Sequence, residues 1–397
     1  MTVPLVPVRE LAEQVRGVTY TKGEASATSG LNLVPILRAG NINDNGLNLS
    51  DLIFVPESRV APKQRIRRND ILIATSSGSL DVVGKAAQAR VDFQGSFGAF
   101  CKVLRPNSRV EPRYFSHYFR TPAYRAKISS LAGGANINNL RNEHLDNLEV
   151  PLPPIDTQRR IAEVLDRADE LRTKRREALV HLDDLTKSIF LDMFGDPAAN
   201  SHDWPVTPCS EVCSRVTVGI VFQPASYYQD AGIPALRSLN IQPGKISLEN
   251  VVYFSPQDNE TRLAKTRVRR DDVVLVRTGR PGTAAVVPEH LDGANSIDIL
   301  ITTPKKEQID PIYLCAYFNS RAAQEIILGQ KRGQIQQHLN VGSLRSVPIP
   351  LPPLELQREF RTRVQRIDEV SARHHKSLSE VDALFTALQN QAFQGAL

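Results

Sequence analysis

The chain has 397 residues, 41% of them hydrophobic, with 49 Lys and Arg against 43 Asp and Glu for a net charge of +6. That apolar share is ample for globular cores and excludes a disordered chain, and the length allows two or three domains. No apolar run approaches the ~18 residues needed to span a bilayer, and the N-terminus MTVPLVPVRE lacks the charged and apolar regions of a signal peptide, so a cytoplasmic protein with no membrane partner is expected.

Taken in order, the predicted elements occur twice. VPILRAGNINDNGLNLSDLIFVP from Val34 matches IPALRSLNIQPGKISLENVVYFSP from Ile233, pairing Pro35, Leu37, Arg38, Asn41, Ile42 and Leu49 with Pro234, Leu236, Arg237, Asn240, Ile241 and Leu248 at an offset of 199. IRRNDILIATSSG from Ile66 matches VRRDDVVLVRTG from Val268 at an offset of 202, which implies three residues inserted in a loop. The offset returns to 199 where Pro112, Tyr114, Tyr118, Phe119, Gly134, Leu140 and Leu145 are answered by Pro311, Tyr313, Tyr317, Phe318, Gly333, Leu339 and Leu344. Such self-similarity is the mark of a duplicated domain. Within each copy the β-branched runs 71–73 and 273–276, bounded by Gly, Asn, Asp and Pro, read as strands. Stretches 113–131 and 312–328 read as helices with aromatic inner faces, followed by a polar loop at Gly133-Gly134 or Gly333. Each module is α+β.

The most regular stretch closes each copy. Residues 151–195 begin PLPPIDTQRR and residues 350–395 begin PLPPLELQRE; Pro151, Leu152, Pro153, Pro154, Gln158, Arg159, Leu179, Leu185 and Phe194 recur 199 residues on. Proline lacks a donor and fixes φ, so a helix starts only after each PLPP, and Gly195, Pro197 and Gly395 mark the far ends. Ile161, Val164, Ala168, Leu171, Ala178, Leu182, Leu185 and Ile189 step by threes and fours, the pattern of a coiled-coil seam broken only at Arg175. Phe360, Val364, Ile367, Leu378, Val381, Phe385, Leu388 and Ala392 repeat it, with the break at His374. Helices of about 37 residues, roughly 55 Å long, must bury such a stripe on a partner helix, and the nearest partner is the other copy.

No catalytic motif in the chain is complete. Gly78, Gly84, Lys85 and Ala86 approach a P-loop but have one residue too many and no hydroxyl for Mg²⁺. No Asp or Glu stands two residues before a lysine as a PD-(D/E)-x-K nuclease requires, both Pro-Pro pairs follow leucine rather than the polar residue of an amino-methyltransferase loop, and Phe93-Gln94-Gly95-Ser96 reads as a glycine turn. The eight histidines lack ligand spacing, and Cys101, Cys209, Cys213 and Cys315 are too scattered for a disulfide framework or a four-thiolate zinc site, so they read as buried thiols. No catalytic, cofactor or metal residue is assigned.

Nucleic-acid contact is the remaining chemistry. The long helices are near neutral, and residues 1–149 hold 19 basic against 13 acidic side chains. Lys63, Arg65, Arg67 and Arg68 precede the first repeated strand, and Arg262, Lys265, Arg267, Arg269 and Arg270 precede its copy, as phosphate-binding clusters would. After the strand the copies diverge, to Thr75, Ser76, Ser77 and Ser79 in one and Arg277, Thr278 and Arg280 in the other. Arginine grips guanine O6 and N7 in bidentate fashion while hydroxyls are less selective, so these loops are candidates for base readout.

The duplicated PLPP-x₃-Q-R helix, joined to IRRNDILIATSSG and VRRDDVVLVRTG in the order domain, helix, domain, helix, resembles the specificity subunit of type I restriction–modification systems over the whole chain. The resemblance implies two target-recognition domains, 1–150 and 196–349, related by an internal pseudo-two-fold duplication and separated by two long antiparallel coiled-coil helices, 151–195 and 350–397. It implies a non-catalytic subunit that reads a bipartite double-stranded DNA target and seats two methyltransferase (modification) subunits and restriction subunits. S-adenosylmethionine, Mg and ATP would be held by those partners, with no cofactor on this chain. A recognition subunit of another DNA-modifying assembly, or a coiled-coil scaffold with no DNA role, are the alternatives.

Overall fold

A computed structural model describes residues 3–43, 46–132, 138–329 and 338–394, so the glycine loops at Gly133-Gly134 and Gly333, and Gly395, lie outside the described residues. The chain divides into two compact units, one of Met1–Glu177 with His375–Leu397 and one of Ala178–His374.

In the first unit Ala12–Arg16, Cys101–Pro106, Ile71–Ala74 and Ala86–Gln88 lie in that order in an antiparallel sheet. A smaller sheet joins Leu33–Leu37 to Ile53–Pro56 and, in parallel, to Ser96–Phe97. The second unit repeats both, as Cys213–Val218, Ile299–Pro304, Val273–Val276 and Ala284–Val286, and as Ile233–Leu236 with Val252–Phe254 and Asn295–Ser296. The central strands at 71–74 and 273–276 are wholly buried, which is why they are apolar runs without alternation. Each expected domain helix is in fact a pair, Pro112–Tyr118 with Pro122–Ala132 and Pro311–Asn319 with Arg321–Gly329. Thr121 precedes a proline, which disfavours helical backbone there and divides the first pair.

The repeated residues turn out to be fasteners. Gln158 and Gln357, both buried, each donate to the carbonyl of a PLPP proline (Pro153 or Pro352, 2.8 Å) and accept from the backbone N–H of the residue before the first helix of the pair (Glu111 or Asp310, 2.8 Å). Tyr114 and Tyr313 donate to the carbonyls of Pro151 and Pro350 at 2.6 and 2.8 Å. Asn41 clamps a loop by donating to Asn48 O and Ser50 O, and Asn240 does the same to Ser247 O and Glu249 O. Gly84 (φ +80°) of the near-miss P-loop is a packing glycine: a Cβ there would meet Ile128 Cγ2 at 2.4 Å, and Gly282 (φ +89°) is likewise pressed against Ile327. All four cysteines are buried, and burial pushes the Cys101 and Cys315 thiols up to about 12. Cys209 begins the short helix Cys209–Val212 and Cys213 begins the strand that follows it, with the two sulfurs 3.9 Å apart.

The long helices run Ile155–Phe194 and Leu354–Phe393, 40 residues each. Within each unit the first half of one lies antiparallel against the second half of the other: Arg172 and Arg176 meet Asp382 in the first unit, and Phe190 and Phe194 meet Phe360 in the second. The second helix buries its expected stripe at Phe360, Val364, Ile367, Phe385 and Ala392. The first does not follow the expected phase. Its buried face carries Ile161, Ala162, Leu165, Ala168 and Asp169, while Val164, Leu171 and Leu185 are exposed. Arg172 enters the seam because its charge is matched: it pairs with Asp169 and Asp382, its guanidinium lies 4.3 Å from the Phe385 ring centroid, and Asp169 also takes both Nη groups of Arg120 (2.8 and 3.0 Å). Arg175 and His374 are both half-buried.

Candidate nucleic-acid interface

The structure separates the two kinds of sequence-derived candidate. Lys63, Arg65, Arg67 and Arg68 lie in the turn before the strand Ile71–Ala74, whereas Thr75, Ser76, Ser77 and Ser79 lie after it, so four buried residues, about 13 Å of extended chain, stand between the groups. The second unit has the same division, with Arg262, Lys265, Arg267, Arg269 and Arg270 before Val273–Val276 and Arg277, Thr278 and Arg280 after it.

The turn before the strand has a framework reason to recur. Asp70 accepts from the backbone of Arg67 (2.9 Å) and from Arg105 Nε and Nη2 (2.9 and 2.8 Å); Asp272 accepts from the backbone of Arg269 and from Arg215 Nη2, both at 2.8 Å. Asn69 and Asp271 take left-handed backbone (φ 74° and 68°), which Asn and Asp tolerate better than most residues. The repeated R-R-[ND]-D pattern is therefore the signature of a buttressed turn. Its recurrence is thus no sign of phosphate binding, and what bears on that expectation is the exposure and charge of the side chains themselves. Lys63, Arg67, Arg68, Lys265 and Arg269 are exposed; Arg65 is paired with Glu57, Arg270 with Glu289 at 3.2 Å, and Arg262 sits 4.0 Å from Asp258. Arg267 is half-buried, with its guanidinium against Gly293.

The loops after the strand open on solvent. Thr75 itself is buried, its hydroxyl donating to Phe100 O at 3.1 Å, so it supports the loop. Ser76 and Ser77 are half-exposed on a two-residue strand paired with Asn139 and Asn138, and Ser79 is exposed. Ser76 lines a groove of about 610 Å³ with Tyr20, Arg38, Asp51 and Phe100, none of which but Ser76 the sequence had singled out for contact. In the second unit Arg277 is paired with Asp298, Thr278 Oγ1 lies 2.9 Å from His338 Nδ1, and Arg280 is exposed. Among the described residues no group of His, Cys, Asp and Glu could hold a metal ion, and no helix is long and apolar enough to cross a membrane.

The family model described as "Type I restriction modification DNA specificity domain" matches residues 6–181 and 237–383, and so spans both units. The chain belongs to this family. Its specificity subunits recognise DNA and are not catalytic, and this chain is a non-catalytic DNA-recognition subunit. It is 28% identical over 414 residues to the EcoKI specificity subunit of Escherichia coli (strain K12), covering 99% of this chain and 89% of the relative. It is also 28% identical over 417 residues to the StySPI specificity subunit of Salmonella potsdam, covering 98% and 88%. The S subunit of a type I restriction–modification system from M. genitalium shares the fold, with a TM-score of 0.58 at 15% identity over 98% of this chain and 96% of that one. A structure reported for complex assembly and conformational transition of the type I R-M system aligns with a TM-score of 0.56 at 19% identity, over 99% and 98% of the two chains.

Proposed function

We infer that the chain reads a bipartite duplex DNA target, one half-site for each recognition domain, 1–150 and 196–349, and that it seats two methyltransferase subunits and the restriction subunits of a cytoplasmic type I complex. The observation that carries this reading is the contrast between framework and tips. Gln158, Tyr114 and Asn41 each have a counterpart making the same bonds, and Asp70 and Asp272 both accept from the backbone N–H three residues before them. Yet the solvent-facing loops after the central strand carry hydroxyls in one unit and guanidinium groups in the other. A common scaffold with different tips suits the reading of two different half-sites. The exposed cations of the turns supply sequence-independent attraction to phosphate. On the first long helix, Val164 and Leu171 are seven residues apart and 46% and 53% exposed, an apolar strip fitted to a partner helix from a methyltransferase subunit.

Reconstitution tests the division of labour. The purified chain with S-adenosylmethionine, Mg²⁺ and ATP should neither methylate nor cleave DNA, and addition of methyltransferase subunits should produce methylation confined to one two-part sequence. Methyl transfer by the chain alone would contradict the reading.

A further inference from the structure

One address in the repeated framework carries opposite chemistry in the two units. Ala74 and Val276 are the same point of the fold: each accepts from a packing glycine, Gly84 N at 2.7 Å or Gly282 N at 2.9 Å. Each pairs in register with the first residue of the next strand, Cys101 or Ile299. The residues after them, Thr75 and Arg277, also correspond, since their carbonyls accept from Leu140 N (2.8 Å) and Leu339 N (3.0 Å). The residues just before Cys101 and Ile299 therefore share one address, which is Phe100 in the first unit and Asp298 in the second.

Phe100 is 70% exposed although its backbone is held firmly, with its carbonyl accepting from Thr75 N at 2.8 Å and from the Thr75 hydroxyl. A phenyl ring fixed in water forgoes burial that its apolar surface favours. It stands on the groove that Tyr20, Arg38 and Ser76 line, where an aromatic wall meets hydrogen-bonding groups. Asp298 is held in left-handed backbone (φ 49°), its N–H donating to Ile220 O at 3.0 Å, and its carboxylate takes Nη1 of Arg277. Guanidinium has five N–H donors in a rigid plane, so engagement of one edge sets the direction of the rest.

We propose that this address decides one base pair in each half-site: Phe100 by apolar contact with a thymine methyl group, and Arg277, aimed by Asp298, by paired hydrogen bonds to a guanine. The assignment rests on the reading of the chain as a bipartite DNA reader. Arg277 is the contacting residue and Asp298 a positioning residue.

The test uses full-length chain co-produced with its methyltransferase subunits in a host lacking other adenine methylation, with methylome sequencing of wild type, Phe100→Ala, Arg277→Ala and Asp298→Asn. Phe100→Ala should make one A·T position of a single half-site degenerate and leave the other half-site and the spacer unchanged. Arg277→Ala should relax one G·C position of the other half-site, and Asp298→Asn should partly relax that same position and no other. A variant too weak to methylate in cells is read by anisotropy titration of its purified complex on target and single-base-changed duplexes. There the ratio of affinities at the assigned base pair should fall by about 5- to 100-fold. Unchanged preference at every position, or loss of preference spread over both half-sites, would overturn the assignment while leaving the bipartite reading intact. A wild-type complex that methylates no defined sequence would overturn both.

Discussion

Asp169 and Asp368 stand 199 residues apart at equivalent points of the long helices, but their surroundings differ. Asp169 is 6% exposed and meets Arg120 and Arg172, whereas at the equivalent points near Asp368 the chain has Asn319 and Ser371, and Asp368 is exposed. Burial alone would raise the Asp169 carboxyl, but the hydrogen bond from Arg120 and the charges of Arg120 and Arg172 outweigh it and hold the group below the usual aspartate value. A depressed carboxyl contributes stability that is present above the unfolded value of about 3.9 and is lost as pH falls through the folded value. Asp169→Asn leaves two guanidinium groups short of a counter-charge and should cost about 3 kcal/mol at pH 7. Denaturant titration should show that deficit shrinking on acidification below about pH 4, while Asp368→Asn stays within about 0.5 kcal/mol of wild type. Equal effects of the two substitutions would contradict this account of the first unit.

At the scale of elements, the sequence showed the long helices, their ends and their pairing, because proline, glycine and a stripe of period near 3.5 act locally. It misplaced the seam of the first helix by one residue at Val164 and Leu171. A hydrophobic pattern counts apolar residues, and it cannot see that Asp169 and Asp382 balance Arg120 and Arg172, so that Asp169 and Arg172 can enter the interior. The single domain helices expected at 113–131 and 312–328 were each two for a similar reason, the break being a short turn inside an otherwise helical composition. Since Val164 and Leu171 do not pack in the first unit's core, replacing both with Gln should shift the melting temperature little, in line with surface changes of about 0.5 kcal/mol or less. If the strip seats a methyltransferase subunit, co-purification of that subunit should fall sharply. Leu165→Ala, on the buried face, should instead cost about 2 to 5 kcal/mol. Undiminished co-purification of the double variant would move the docking site elsewhere.

For the whole molecule, duplication was the most legible feature, since framework residues must repeat wherever the same bonds are made. The same fact blurred the candidate site. Recurrence of the basic turns has its cause in Asp70 and Asp272, and Phe100 left no pattern because it lies where the copies disagree. The only sequence signal for it was that disagreement, Phe100 in one copy and Asp298 in the other. The long helices make a further prediction about the target. Seven residues inserted after Leu179 and seven after Leu378 keep the seam face, because a heptad falls only about 20° short of two turns. They lengthen each helix by roughly 10 Å, which is about three base pairs at ~3.4 Å each. An active variant should methylate both original half-sites across a longer spacer, and an active variant that keeps the original spacer would show that the helices do not set it.

If this chain supplies the sequence specificity of the complex, methylome sequencing of one host will reveal it. The host would produce the methyltransferase subunits without this chain, with it, or with a version in which residues 196–349 are replaced by the corresponding residues of a relative. The methylome should then carry no defined motif in the first case, one two-part motif in the second, and in the third a motif that keeps one half-site and exchanges the other. A defined motif that is the same in all three would contradict it.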